Sequence, residues 1–310
     1  MIIIIITILM DKIIDKIYHD PAGHGSMRTT YEDAKKKDQS ITYGDIQAWF
    51  RKNIERKTQL KGYNSFIASE PKQEYQMDLF FMNYLKDPEF NIGMLIVDIF
   101  TKFVSIIPMK ANNAPAILEA MQEAIIKMGG KPQTLFTDDE GGLNTPLIQN
   151  YLKDHGIRHI VTRSHAAVAE RTIRTIKAMI DKRIESAKKK DSQDKRWVDV
   201  LYPVLITYNQ KNKHSATKMT PKEAMKASNQ IQVKAILELT RKHTRKYPEI
   251  TVGDYVKIYN KKDKLDKERI PVWSKEKFKV ESINENVGQD FYKLEGRPRE
   301  LMRSEILLVN

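Results

Sequence analysis

Three consecutive acids, Asp138, Asp139 and Glu140, interrupt the sequence directly after a short strand-like run and directly before a Gly-Gly turn. A second strand-like run, Ile157 to Val161, follows, and then a predicted helix that begins near Ala167. That helix carries Glu170 in its first turn. A carboxylate at the end of a strand, matched by one on a later helix, is what a magnesium-dependent phosphoryl-transfer site needs.

A third carboxylate lies upstream, in the segment EYQMDLFFMNYL from Glu74 to Leu85. Asp78 is the acid inside this run, whose aromatic and apolar residues predict a strand. An acid in a buried strand is costly unless it is paired or ligates a metal. Asp78, Asp138 and Glu170 therefore form a candidate triad, in which Asp138 lies 60 positions after Asp78 and Glu170 lies 32 positions after Asp138.

These motifs resemble the DDE catalytic core of retroviral-type integrases, which has a ribonuclease-H-like fold. The resemblance rests on TDDEGG around Asp138 and on HAAVAERTIRTIK around Glu170. It extends to YNQKNKHSATKMTPKEA, Tyr208 to Ala224, which resembles the segment that closes that core. The TDDEGG and ERTIRTIK forms look closest to integrases of Maverick/Polinton giant transposons and virophages. The match covers roughly residues 15 to 308, although the interval from Asp138 to Glu170 is a few residues shorter than in retroviral enzymes.

The resemblance implies a DNA integrase, a polynucleotidyl transferase and endonuclease that trims the 3′ ends of a transposable element and joins them to target DNA. It places Asp78, Asp138 and Glu170 as ligands of two Mg²⁺ ions per site, for which Mn²⁺ would substitute. It further implies double-stranded DNA as the partner, a homo-oligomer that holds two DNA ends, and no small-molecule substrate. The expected location is the host nucleus, or a virion or viral factory, without secretion.

Two other functions stay open. A ribonuclease-H-type nuclease would use a similar acidic site, but the flanking DNA-binding-like modules and the segment from Tyr208 to Ala224 count against it. The other is a catalytically silent DNA- or chromatin-binding protein derived from a mobile element. The presence of all three acids counts against that reading, because lost activity would leave them free to change.

The charge of the chain also indicates a polyanionic partner. Its 310 residues, enough for two or three domains, include 53 Lys and Arg against 40 Asp and Glu, a net charge of +13. It has no cysteine, which argues against disulfides, thiol catalysis and Cys-ligated zinc. Retroviral integrases carry a His/Cys zinc module at the N-terminus. Here His19 and His24 have no Cys partners, so we interpret them as loop residues and expect no zinc.

The N-terminal region divides into two predicted parts. Residues 1–10, MIIIIITILM, are too few to span a bilayer and are interpreted as a leader or an untranslated stretch, with Met10 a credible initiator. Residues 11–63 are predicted to form a helical DNA-binding-like module whose last two helices are Thr30 to Lys37 and Thr42 to Asn53. The alternative is a helical cap that only packs on the core.

The catalytic core is predicted at residues 74–229, with a three-stranded meander after Glu74 and a helix from Ala114 to Met128. Several polar residues in it are interpreted as structural: Asp98 bonds to the turn at Thr101 or to Lys102, Asp139 and Glu140 cap a turn or are solvated, and His165, His214 and Ser215 serve loops. Thr220 is predicted to cap a helix together with Glu223.

Basic residues on the Glu170 helix are candidate DNA contacts. Arg171, Arg174 and Lys177 follow at steps of three, a slowly drifting stripe that could hold phosphates. The alternative for Arg174 is a surface ion pair with Glu170, four residues away.

Two further segments complete the chain. Residues 230–250 are predicted to be a helical, basic linker. Residues 251–310 contain short strand-like runs separated by turns and predict a small β-barrel, which resembles the SH3-like or chromo-like module of these integrases that binds DNA or chromatin. Trp273 and Tyr292 are interpreted as core residues of this barrel.

Overall fold

The computed structural model describes residues 2–54, 66–85, 87–138, 142–162, 167–191, 196–241, 245–260, 271–286 and 288–309. The chain divides into two compact units, Met1–Leu60 and Lys61–Asn310. Within the described residues, no helix is long and apolar enough to cross a membrane.

The first unit consists of three helices, α1 (Ile2–Tyr18), α2 (Met27–Lys37) and α3 (Tyr43–Asn53). Ser26 caps α2, and Thr42 caps α3 in a reciprocal capping box with Asp45. Their apolar faces meet in one cluster whose fully buried members are Ile14, Ala34, Ile41, Ile46, Trp49 and Phe50. The predicted helices are confirmed, and His19 and His24 lie in the loop after α1. Helix α1 includes most of the residues of the predicted leader, whose role stays a prediction.

The second unit is built on a five-stranded sheet of order β3-β2-β1-β4-β5. The strands are β1 (Glu74–Phe81), β2 (Ile92–Asp98), β3 (Val104–Met109), β4 (Thr134–Asp138) and β5 (Arg158–Thr162). The first three form the predicted antiparallel meander, and β4 and β5 run parallel to β1. The connections to β4 and from β4 to β5 contain α4 (Ala114–Lys127) and α5 (Pro146–Asp154). Gly129, at φ 77°, follows α4 as the sequence predicted.

Helices cover both faces of this sheet. On one face, α4 and α5 pack on Tyr75, Met77 and Leu79 of β1. On the other face lie α6 (Ala167–Asp191) and α7 (Trp197–Ile206), where the Phe80 ring meets the Trp197 ring edge-on at 5.9 Å. Since side chains alternate along a strand, the even-numbered positions of β1 face α6 and α7.

The chain after α7 also belongs to the core. A π-helical segment, Thr207–Lys211, leads to the short α8 (Pro221–Ala224), which Thr220 and Glu223 cap as predicted. Helix α9 (Gln230–Leu239) follows and buries Val233 and Leu237 against Ala68 and Phe100. The helix expected in the predicted linker at 230–250 is thus present as α9, and its apolar stripe packs on the core.

The C-terminal strands form a second five-stranded antiparallel sheet of order β10-β6-β7-β8-β9. They are β6 (Tyr255–Ile258), β7 (Phe278–Asn286), β8 (Gln289–Leu294), β9 (Leu301–Met302) and β10 (Ile306–Leu308). Tyr292 is buried in its core, as predicted, whereas Trp273 is only half-buried. The closed SH3-like or chromo-like barrel stays a prediction.

The C-terminal sheet packs directly on the core sheet. Phe291 and Met302 contact Phe136 of β4 and Ile160 of β5. The Arg158 guanidinium forms an ion pair with Glu300 at 2.6 Å and lies 4.6 Å from the centroid of the Phe291 ring. The two sheets therefore share a boundary that includes the same face of β4 as Asp138.

Candidate active site

The pairing of β1 with β4 brings two of the predicted acids together. The parallel register runs from Glu74 opposite Thr134 to Met77 opposite Thr137. The next position in this register sets Asp78 beside Asp138. Paired strands are about 4.8 Å apart, and residues in register point to the same face of the sheet. Both carboxylates therefore lie on the face that α6 covers.

The start of α6 is fastened to β1 by Gln76. Its Oε1 atom accepts hydrogen bonds from the backbone N–H groups of Val168 at 3.0 Å and Ala169 at 3.3 Å. The first N–H groups of a helix have no partner within the helix, so Gln76 acts as a cap supplied by a distant strand. Gln76 is two positions before Asp78 and shares its face. Glu170 lies in the same first turn, so this cap holds the backbone from which the third acid extends close to β1.

Lys177 attaches α6 to β1 a second time, two turns further on. Its Nζ atom donates to the carbonyl oxygen of Phe81 at 2.8 Å. Burial lowers the pKa of Lys177, and the carboxylates of Asp181 and Asp78 oppose that shift. A cation is thus held within electrostatic reach of Asp78.

His159 supports β4 from the opposite face of the sheet. Its Nδ1 accepts from the Gln149 side-chain amide at 2.9 Å, so its Nε2–H donates to Thr137 Oγ1 at 2.8 Å. Burial, helped by the charge of Arg299, lowers the pKa of His159 to about 4. The ring is therefore neutral at physiological pH, and it fixes the residue that precedes Asp138.

Glu74 connects the acid-bearing strand to the C-terminal sheet. Its carboxylate accepts from the side-chain amides of Gln76 at 3.5 Å and Gln289 at 3.3 Å. Burial raises the pKa of Glu74 to about 8. Glu74, Gln76 and Asp78 thus form one polar row at alternate positions of β1.

Sequence reasoning singled out neither Gln76 nor Glu74. Their spacing from Asp78, with polar residues alternating with apolar ones in EYQMD, was the signal that could have found them.

Two residues interpreted as structural are confirmed in that role. Asp98 accepts from the backbone N–H groups of Phe100 at 2.8 Å and Thr101 at 3.2 Å, and so closes the turn after β2. His214 accepts from the backbone of Ala216 at 3.2 Å, which is turn chemistry. Asp139, Glu140 and His165 lie outside the described residues.

The three candidate DNA-binding cations do not share one surface. Successive residues of a helix are about 100° apart, so Arg171 lies well round the helix from Glu170, while Lys177 returns to the side of Glu170. Arg171 and Arg174 are exposed, and Lys177 is half-buried against β1. Their contact with DNA stays a prediction.

The predicted acids suit a hard cation by their chemistry. Carboxylate oxygens are the ligands that Mg²⁺ prefers. Within the described residues, no group of three or more Asp, Glu or His side chains is close enough to hold a metal ion. The β1–β4 register sets Asp78 beside Asp138, and Glu170 lies in the first turn of α6. Among the described residues, the three do not form an assembled ligand set.

Comparison with known sequences gives partial matches. No protein-family model matches the chain. Over 170 residues, 54% of the chain, it is 26% identical to the Gag-Pol polyprotein of Walleye dermal sarcoma virus, of which the match spans 9%. Over 197 residues, 62% of the chain, it is 24% identical to an uncharacterized transposon-derived protein of Caenorhabditis elegans, of which the match spans 64%. The chain thus spans less than two thirds of either relative.

Comparison with solved structures covers more of the chain. The catalytic core domain of HTLV-2 integrase, solved in complex with magnesium, is 22% identical and aligns with 51% of this chain and 98% of its own, at a TM-score of 0.43. A chain of the simian T-cell lymphotropic virus intasome, solved with the PP2A regulatory subunit B56 gamma, is 13% identical and aligns with 93% of this chain and 96% of its own, at a TM-score of 0.58. The fold is thus similar to that of the intasome chain over most of the length of both.

Proposed function

We propose that this protein is a DNA integrase that trims the 3′ ends of a mobile element and joins them to target DNA. The observation that supports the proposal is the arrangement of β1, β4 and α6, the elements that carry Asp78, Asp138 and Glu170. The parallel β1–β4 register, continued by one position, supports a pairing of Asp78 with Asp138, and Gln76 ties the start of α6, which carries Glu170, to β1. Such acids on a retroviral integrase fold suit phosphoryl transfer between DNA strands.

Each step is an in-line displacement at a DNA phosphorus. In trimming, a water oxygen forms the new bond to phosphorus and the 3′ oxygen of the element strand leaves as a hydroxyl. In joining, that 3′ oxygen loses its proton and forms the new bond to a target phosphorus, while the bond from that phosphorus to the 3′ oxygen of the target strand breaks and this oxygen leaves as a hydroxyl. Bound Mg²⁺ would polarise the phosphoryl oxygens, favour the deprotonated nucleophile and stabilise charge on the leaving oxygen. Asp78, Asp138 and Glu170 would hold two Mg²⁺ ions per site, and Mn²⁺ would substitute for Mg²⁺.

The remaining residues of the site orient these acids. Gln76 fixes the start of α6, and Lys177 fixes the helix two turns later. His159 holds Thr137, which precedes Asp138. Rigid placement of reacting groups supplies much of the rate in such reactions, because orientation entropy is lost before the chemical step.

The partners we propose are double-stranded DNA, as element ends and as target, and further copies of this chain. The net charge of +13 supports binding to a polyanion. We further propose a Maverick/Polinton or virophage-type element as the origin, and the host nucleus or a viral factory as the place of action.

The test is strand joining on a branched DNA substrate, which needs no knowledge of the element's end sequence. Wild type, Asp138→Asn and the control Asp154→Asn, which makes the same chemical change at the exposed end of α5, are compared in Mg²⁺ and in Mn²⁺. We expect joining by wild type and the control, and none by Asp138→Asn although it still binds DNA. DNA binding without joining by wild type in either metal would instead favour a catalytically silent DNA-binding protein.

A further inference from the structure

A cleft of about 400 Å³ lies beside α6, on a different side of the helix from Glu170. Its walls are the turn between β2 and β3, the first turns of α6 and the loop that follows the π-helical segment. The lining includes six cationic or hydrogen-bonding side chains, Lys102, Arg171, Thr175, Asn212, Lys213 and Ser215. No carboxylate among the described residues lines it.

Hydrogen bonds fix the segments that form the walls of this cleft. The Asn209 side chain pairs with the backbone of Val104 in both directions, at 3.0 Å to its N–H and 2.8 Å to its carbonyl. The loop after it is closed by His214, whose carbonyl accepts from the N–H of Lys218 at 2.8 Å. A preformed wall lowers the entropy cost of binding a ligand.

Lys102 is fixed at the base of the cleft. Its backbone has φ 65°, a conformation that residues other than glycine seldom adopt. The ammonium group donates to the carbonyl of Ile99. Burial lowers the pKa of Lys102 to about 8, while the carboxylates of Asp98 and Glu74 behind it oppose that shift. The side chain is therefore still largely protonated at pH 7.

Three cationic side chains, Lys102, Arg171 and Lys213, line the cleft. Burial lowers the pKa of His214 to about 4, and the charges of Lys102 and Arg171 act in the same direction. His214 is thus a neutral wall residue that lies within electrostatic reach of two of these cations.

We propose that this cleft binds a phosphate group of the DNA backbone, as a contact separate from the acid site. The proposal rests on the proposed function, because it takes DNA to be the substrate. Lysine, arginine, hydroxyl and amide groups are the side chains that contact DNA phosphates, and all four occur here. Thr175 lies about 7.5 Å along α6 from Glu170, so the cleft is close to the acid site along the helix.

The test measures affinity of the full chain for labelled duplex DNA of unrelated sequence over a series of salt concentrations, by fluorescence anisotropy. It compares wild type with Lys213→Gln and with the double variant Arg171→Gln/Lys213→Gln. The matched control is Lys153→Gln, which removes an equal charge from α5 on the opposite face of the sheet. Circular dichroism and the Tm establish that every variant is folded.

We expect the logarithmic salt slope to fall by about 0.9 when the cleft no longer binds its phosphate, and the affinity to fall equally for all duplex sequences. The control should keep the slope of wild type. A double variant that is folded and keeps the wild-type slope would overturn the proposal. The slope is measured without metal and without joining, so a failure of the integrase proposal in the strand-joining test does not change the salt slope that tests the cleft.

Discussion

The two faces of strand β1 differ more than any other pair of surfaces in the core. One face presents Tyr75, Met77 and Leu79 to α4 and α5 in a continuous apolar cluster. The other presents Glu74, Gln76 and Asp78, a polar row that connects the C-terminal sheet, the start of α6 and the acid site. The apolar face stabilises the fold, whereas the polar face costs desolvation and serves the site.

One strand can therefore both stabilise the core and position the acid site. Buried polar groups are tolerated when each has a hydrogen-bond partner. Gln76 bonds to two helix amides and to Glu74, and Glu74 also bonds to Gln289. Substitutions on the two faces should therefore separate stability from activity.

The largest expected effect is on the apolar face. Met77 is fully buried, so Met77→Ala should lower the free energy of unfolding by about 2 to 5 kcal/mol through lost burial and a cavity. Urea denaturation followed by circular dichroism measures it. A loss below about 1 kcal/mol would show that this face is not the packed core that the structure describes.

A substitution on the polar face should instead lower activity strongly and stability little. Asp78→Asn keeps the size of the side chain but weakens it as a cation ligand. Strand joining should fall by more than about a hundredfold, beyond what loss of an outer-shell partner produces. The free energy of unfolding, measured in the same urea experiment, should change much less than in Met77→Ala. Equal losses of stability in both variants would erase the distinction between the faces.

A smaller effect is expected where the polar row acts through position. Gln76→Ala removes the cap of α6 and should reduce stability by about 1 kcal/mol. Joining should fall about 10- to 100-fold, because Glu170 is less well held. Gln76→Glu keeps an acceptor oxygen and should restore part of the joining. If Gln76→Ala joins DNA at the wild-type rate, Gln76 has no positioning role.

Local sequence patterns predicted the elements but not the contacts between them. Some elements depend on residues only a few positions apart, so the sequence predicts them. Examples are the capping pairs at Thr42 and Thr220, the helix end at Gly129 and the strand around Asp78. Gln76 caps amides 92 and 93 positions away, and Glu74 meets Gln289 across 215 positions. No periodicity reports such distances, which is also why α9 was assigned to a linker.

A further effect concerns pH and Glu74. Burial raises its pKa to about 8 in the folded chain, above its ordinary value of 4.5, so the folded state binds the proton more tightly than the unfolded state. Stability from this group is therefore fully present below about pH 4.5 and is lost as pH rises toward 8, by at most about 1.4 kcal/mol per pH unit. Glu74→Gln should flatten that part of the profile of unfolding free energy against pH. An unchanged profile would contradict the burial of an acid at this position.

The most direct test of the central claim is Mn²⁺ binding, followed by electron paramagnetic resonance in the full chain with DNA present. Wild type should bind Mn²⁺, and Asp78→Asn, Asp138→Asn and Glu170→Gln should each weaken binding, while Asp154→Asn should not. That result would place the cation on the three acids that β1, β4 and α6 contribute. Equal Mn²⁺ binding by wild type and all three site variants would contradict the account.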